Sequence, residues 1–114
     1  MELTILATSD LHGYILPSNF GSRQQDLPFG VAKVATILKE EQKKAQGPVI
    51  LIENGDFIQG SPLSYYIAKR RKTEDPTDLM ATLNTIGYDV GLLGNHEFNY
   101  GTDYLKKAIQ AVNY

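Results

Sequence analysis

Val49-Ile50-Leu51-Ile52-Glu53-Asn54-Gly55-Asp56 is the stretch from which the rest of the chain is read. A short, mostly β-branched apolar run ends abruptly in a polar, glycine-containing cluster, the pattern of a buried strand that stops at a turn. Two other runs repeat it: Leu3-Thr4-Ile5-Leu6-Ala7 leads into Thr8-Ser9-Asp10, and Val90-Gly91-Leu92-Leu93 leads into Gly94-Asn95-His96. Between the first two predicted strands, Val31, Val34, Ala35 and Leu38 fall at helical spacing, as do Leu105, Ala108, Ile109 and Val112 after the third. Two shorter helices are announced by Ser61 before Pro62 and by Asp75 before Pro76. Each is a polar cap ahead of a proline at the first helical position, and the second helix is expected to end near Gly87.

Strand and helix in alternation predict an α/β fold with a parallel sheet and right-handed crossovers. All three strands then end along one edge, where open α/β sheets place their ligands. The segment from Gly13 to Gly30 holds two prolines and no sustained period, so a long loop over that edge is expected. Residues 1–114 show no repeat and no dividing linker, which predicts one domain or part of one.

Composition narrows the function. The chain has 114 residues, 42% of them hydrophobic and 21% charged, as in ordinary globular proteins. A net charge of -2 supplies no basic field for a nucleic-acid duplex, and Lys69-Arg70-Arg71-Lys72 reads as a solvated helix end. Without cysteine, disulfides and thiolate metal sites are excluded, so any metal must be held by oxygen and imidazole nitrogen. No run approaches the length of a membrane-spanning helix, and the apolar stretch behind Met1 is too short for a signal-peptide core. No membrane partner is expected. A cytoplasmic protein follows if Met1 is the natural start, and an extracellular or cell-wall one if a leader has been removed.

Each predicted strand exit carries side chains capable of chemistry. The first has Asp10-Leu11-His12, a carboxylate and an imidazole spaced to turn toward one cation. The second has Asn54-Gly55-Asp56, in which glycine lets the backbone bend while the aspartate reaches across the edge. The third has Gly94-Asn95-His96-Glu97. Any one of these alone reads more readily as a turn, the third as a turn leading to a helix capped by Thr102. Together they fall on one edge and include both histidines of the chain.

In order and approximate spacing, Asp10-x-His12, Gly55-Asp56 and Gly94-Asn95-His96-Glu97 resemble the first three signature blocks of the calcineurin-like metallophosphoesterase superfamily. The longer strings Thr8 to Gly13, Asn54 to Pro62 and Gly94 to Gly101 resemble its 5'-nucleotidase and 2',3'-cyclic-nucleotide phosphodiesterase branch. The resemblance implies the N-terminal part of a sandwich of two sheets flanked by helices. It implies two divalent metal ions, Mn, Fe, Zn or Co, with Asp10 and His12 on one, Asp56 bridging both and Asn95 on the second through its amide oxygen. His96 would face the substrate and protonate the leaving group. The branch typically supports that histidine with an aspartate three residues later. Here Asn99 stands there, able to orient the ring by accepting a hydrogen bond but supplying no charge, and with Tyr100-Gly101 it resembles the cyclic-phosphodiesterase and 3'-nucleotidase members.

The implied activity is hydrolysis of a nucleotide or cyclic-nucleotide ester by metal-activated water, most like a 2',3'-cyclic-nucleotide 2'-phosphodiesterase/3'-nucleotidase. The alternatives are a 5'-nucleotidase and a non-catalytic α/β module that binds a nucleotide or a protein. Glu97 is expected to hydrogen-bond locally, Ser9 and Asn54 to orient neighbouring ligands, and the tyrosines mostly to pack, with no stacking platform. No histidine follows His96, whereas the family pattern supplies later histidine ligands and a C-terminal domain for base recognition. Residues 1–114 are therefore expected to be the N-terminal portion of one catalytic domain, inactive in isolation.

Overall fold

The computed structural model describes residues 1–19 and 21–114. Strand β1 (Thr4–Thr8) is followed by helix α1 (Val31–Lys44), strand β2 (Val49–Glu53), helices α2 (Pro62–Lys69) and α3 (Thr77–Asn84), strand β3 (Val90–Gly91), a 3-10 turn (Asn95–Phe98) and helix α4 (Thr102–Ala111). The strands form one parallel sheet in the order β1-β2-β3, with Leu6 opposite Leu51 and Ile52 opposite Val90. The α/β fold with parallel strands is as the sequence predicts.

Side chains alternate across a sheet, so residues in register share a face. Leu6 and Leu51 face a core built with Phe57, Ile67, Leu83 and Ala108. The opposite face carries Ile5, 58% exposed, and Val90, 44% exposed. Apolar strand residues on that face therefore lack a covering layer.

Local chemistry sets the helix ends. Ser61 caps α2 as expected: its Oγ accepts from Ser64 N at 3.1 Å and donates to Gly13 O at 2.8 Å, which ties the first loop to the helix start. Helix α3 begins at Thr77, one residue later than expected, although Asp75 Oδ1 accepts from Thr77 N at 2.9 Å as a capping side chain does. It also ends before Gly87. Asn84 donates to Ala111 O at 2.9 Å and accepts from Asn113 N at 3.0 Å, locking the end of α3 onto α4.

The predicted bounds need four further corrections. Strand β1 runs one residue later, since Thr8 still pairs with Glu53. Strand β3 is only two residues long because β2 ends at Glu53, so Leu92 and Leu93 have no ladder partner beyond the Leu92 N to Glu53 O bond of 2.8 Å. The cap of α4 is Gly101 at φ 87°, not Thr102, since glycine adopts the left-handed conformation freely. The helix buries Tyr104, Leu105 and Ala108, whereas Ile109 is exposed.

Candidate metal and phosphate site

The loops after β1 and β2 stay paired beyond the strands. Asn54 N donates to Thr8 O at 2.8 Å, Asp10 N to Gly55 O at 3.1 Å and His12 N to Asp56 O at 3.0 Å. Asp10, His12 and Asp56 all take left-handed backbone conformations, at φ 57°, 49° and 60°. Such conformations cost non-glycine residues on the order of 1–3 kcal/mol each and persist only where surrounding bonds over-determine them. The three backbone pairings supply part of that restraint.

The third loop closes against the second at two glycines. A β-carbon on Gly55 would collide with the Gly94 backbone, and one on Gly94 would collide with the Asp56 carboxylate. Asp56 Oδ1 accepts from His96 N at 2.8 Å, so the backbone after β3 aims the carboxylate supplied after β2.

Glu97 organises this junction. Buried at 4% exposure, it accepts from Asp56 N at 2.7 Å, Phe57 N at 2.6 Å, Ile58 N at 3.2 Å and Gly94 N at 2.7 Å. Only the Gly94 bond is local. The other three reach across to the second loop, correcting the local role expected for Glu97. No sequence pattern announces this, because the partners are backbone amides that any residue supplies. Glu53 is buried nearby without a cation, and burial pushes its carboxyl up to about 7. The amide of Gly55, 3.2 Å away, pulls the other way, and the charges of Glu97, Asp56 and Asp10 add to the rise.

His12 is set for ligation. Its Nδ1 lies 2.7 Å from the carbonyl oxygen of Gln59, so Nδ1 carries the proton and donates. The lone pair is left on Nε2, which stands 3.7 Å from Asp10 Oδ1. Ser9 Oγ donates to Asp10 Oδ2, as expected of an orienting residue. Asn54 takes part through its backbone amide instead of its side chain.

The His96 ring meets the His12 ring at 5.1 Å between centroids, nearly perpendicular. Asn99 Nδ2 lies 2.8 Å from His96 Nδ1. Asn99 is thus in hydrogen-bond contact with the His96 ring. Asn95 opens the 3-10 turn immediately before His96 and is exposed. The structure thus gathers Asp10, His12, Asp56 and His96, with Asn95 at their margin. Among the described residues, no three His, Asp or Glu side chains converge tightly enough to cage an ion by themselves. A carboxylate beside an imidazole with a free Nε2 nonetheless suits a borderline divalent cation. The tyrosines divide: Tyr88 and Tyr104 are buried, but Tyr65 and Tyr66 are exposed, so the packing role expected for them does not hold.

The family described as calcineurin-like phosphoesterase matches residues 3–114. Over its whole length the chain is 37% identical to the 2',3'-cyclic-nucleotide 2'-phosphodiesterase/3'-nucleotidase of Yersinia enterocolitica, covering 18% of that protein. It is 35% identical to the trifunctional nucleotide phosphoesterase protein YfkN of Bacillus subtilis, again over its whole length, covering 8%. The fold superimposes on a solved putative 5'-nucleotidase from Staphylococcus aureus with a TM-score of 0.88 at 37% identity, over 98% of this chain and 21% of that one. The chain thus spans less than a fifth of the length of these curated relatives.

Proposed function

This chain belongs to the calcineurin-like phosphoesterase family, and on that premise we propose that it carries the N-terminal part of the catalytic site of a metal-dependent nucleotide phosphoesterase. Its action is most like that of a 2',3'-cyclic-nucleotide 2'-phosphodiesterase/3'-nucleotidase, the name borne by the Yersinia relative. The observation that carries the reading is the junction of three loops. Asp10, His12 and Asp56 are held in strained conformations at one sheet edge, with His12 Nε2 free beside a carboxylate.

Members of the family are generally dinuclear metal enzymes. In this chain Asp10 and His12 would hold one ion, Asp56 would bridge to a second, and Asn95 would reach that one through its amide oxygen, with Mn, Fe, Zn or Co suited to the donors. Such a pair supplies an acidified water and neutralises phosphate charge. The chain's own residues do the rest. Asp56 is aimed by the His96 amide, and Glu97 holds the loop that carries it. His96, oriented by Asn99 at Nδ1, would donate a proton from Nε2 to the departing ribose oxygen as the imidazolium, protonated on both ring nitrogens, and return to the neutral ring.

Residues 1–114 form the N-terminal portion of the catalytic domain, and further ligands and a base-recognising C-terminal domain come from the rest of a longer protein. The test is hydrolysis of 2',3'-cyclic AMP, 3'-AMP and 5'-AMP by the full-length protein, stripped with chelator and reloaded with Mn. Turnover that returns with the metal and favours the first two esters is expected. Preference for 5'-AMP would make it a 5'-nucleotidase, and no metal-dependent turnover would leave a non-catalytic binding module.

A further inference from the structure

We infer that Gln59-Gly60-Ser61, the segment leading into α2, is the positioning device that sets the His12 imidazole for its metal ion, with Gly60 as the face on which the ring lies. The inference rests on the metal-dependent phosphoesterase reading above. Gln59 and Ser61 bond to His12 or to the residue after it. Gln59 O accepts from His12 Nδ1 at 2.7 Å, Ser61 N donates to His12 O at 2.8 Å, and Ser61 Oγ donates to Gly13 O at 2.8 Å.

Gly60 stands between these bonds, against the ring. A β-carbon there would lie 2.7 Å from His12 Cβ, 2.8 Å from Nδ1 and 2.9 Å from Cγ, closer than such atoms pack. Its φ of 139° is also one that only glycine takes at little cost. Any side chain at position 60 must therefore push the ring or the segment away, and the first bond at risk is the one from His12 Nδ1 to Gln59 O. That bond keeps the proton on Nδ1 and the lone pair on Nε2, where a cation needs it.

The segment is held firmly enough to act as a stop. Ser61 and Ser64 are both buried, and Ser64 Oγ donates to Ser61 O at 2.9 Å while Ser64 N donates to Ser61 Oγ at 3.1 Å. On the far side His12 N donates to Asp56 O at 3.0 Å, so a backbone at a left-handed φ of 49° is pinned between α2 and the second loop. Gly87 offers a comparison in the same chain. It too has a positive φ, 83°, but a β-carbon on it would meet nothing within 4 Å.

Calorimetric titration of the chelator-stripped full-length protein with Mn tests the inference. Gly60→Ala should weaken one metal site about tenfold to 100-fold, the scale of lost support behind a ligating histidine. In a His12→Ala background the same change should cost no further affinity, because the ligand it aims is gone. Gly87→Ala, equally strained but facing open space, should leave Mn affinity alone. Ser61→Ala keeps the glycine but frees the Gly13 carbonyl, and should weaken the same site to a smaller extent. Unchanged affinity in Gly60→Ala, or an equal loss in Gly87→Ala, overturns the inference while the phosphoesterase reading stands. If Gly60→Ala does not fold, unchanged affinity in Ser61→Ala overturns it in the same way. If the unaltered protein binds no Mn, both readings fall together.

Discussion

His96 and Glu53 show how a single side chain is set by contacts that lie elsewhere in the chain. The Asp56 carboxylate is held by the His96 backbone amide and not by its ring, so removing the ring leaves Asp56 aimed. If the proposed function holds, His96→Ala in the full-length protein should keep its metal content while turnover of nucleotides falls about 100-fold or more, the scale of a lost general acid. p-Nitrophenyl esters, whose leaving group hardly needs a proton, should lose much less. An equal loss across leaving groups would show that the ring binds phosphate instead. Glu53 gives a pH signature. Burial raises its folded pKa from an ordinary 4.5 to about 7, so the folded state holds a proton that the unfolded state has lost between those values. Stability from this group is therefore intact below about pH 4.5 and declines as pH rises to about 7, by a few kcal/mol at most. Glu53→Gln should flatten that decline and raise the melting temperature at pH 8 more than at pH 5. Identical shifts at both pH values would refute the raised pKa.

Between elements, the joint that matters is the one linking the loop after β2 to the turn after β3. Glu97 accepts from four backbone amides there, three of them in the second loop. Leaving buried donors unpaired costs roughly 1–3 kcal/mol each where water does not replace the carboxylate. Glu97→Gln is no mild change, because its amide nitrogen would face N–H donors. Either Glu97→Ala or Glu97→Gln should lower stability by at least about 2 kcal/mol, read as the urea midpoint, and reduce activity as Asp56 loses its anchorage. An unchanged midpoint with full activity would mean that the loops hold without Glu97.

At the scale of the whole molecule, the sheet is unfinished on one side. Ile5 and Val90 are exposed on the face away from the core, Leu92 and Leu93 continue past the end of the ladder, and both outer strands present unpaired edges. Exposed apolar patches and open edges promote association. The isolated 114-residue polypeptide is expected to self-associate with rising concentration in sedimentation velocity, to bind at most one divalent ion weakly in calorimetry, and to show no nucleotide hydrolysis. A monomer with two tight metal sites, or one that turns over nucleotides, would contradict this.

Strand and helix identity were legible in the residues themselves, since periodicity and capping are local: Val49 to Ile52, the Val31 to Leu38 face and the Ser61-Pro62 cap all formed where their patterns lie. The gathering of Asp10, His12, Asp56 and His96 was legible too, because parallel strands must end along a common edge and each of these residues follows a strand. Where sequence reasoning failed, the deciding contact was distant in the chain or depended on orientation. Strand β3 stops at Gly91 because its partner turns away, and Asn54 joins the site through its backbone amide because that amide meets Thr8 O. Glu97 left no trace in the pattern, its partners being backbone amides about 40 residues back. Tyr14, Tyr65 and Tyr100 share one cleft only once α2 and the two loops pack together. Sequence determined which chemistry was available at the edge, since that depends on residue type and strand order, whereas tertiary packing decided how each group was aimed, since aim depends on contacts between segments that no local pattern encodes.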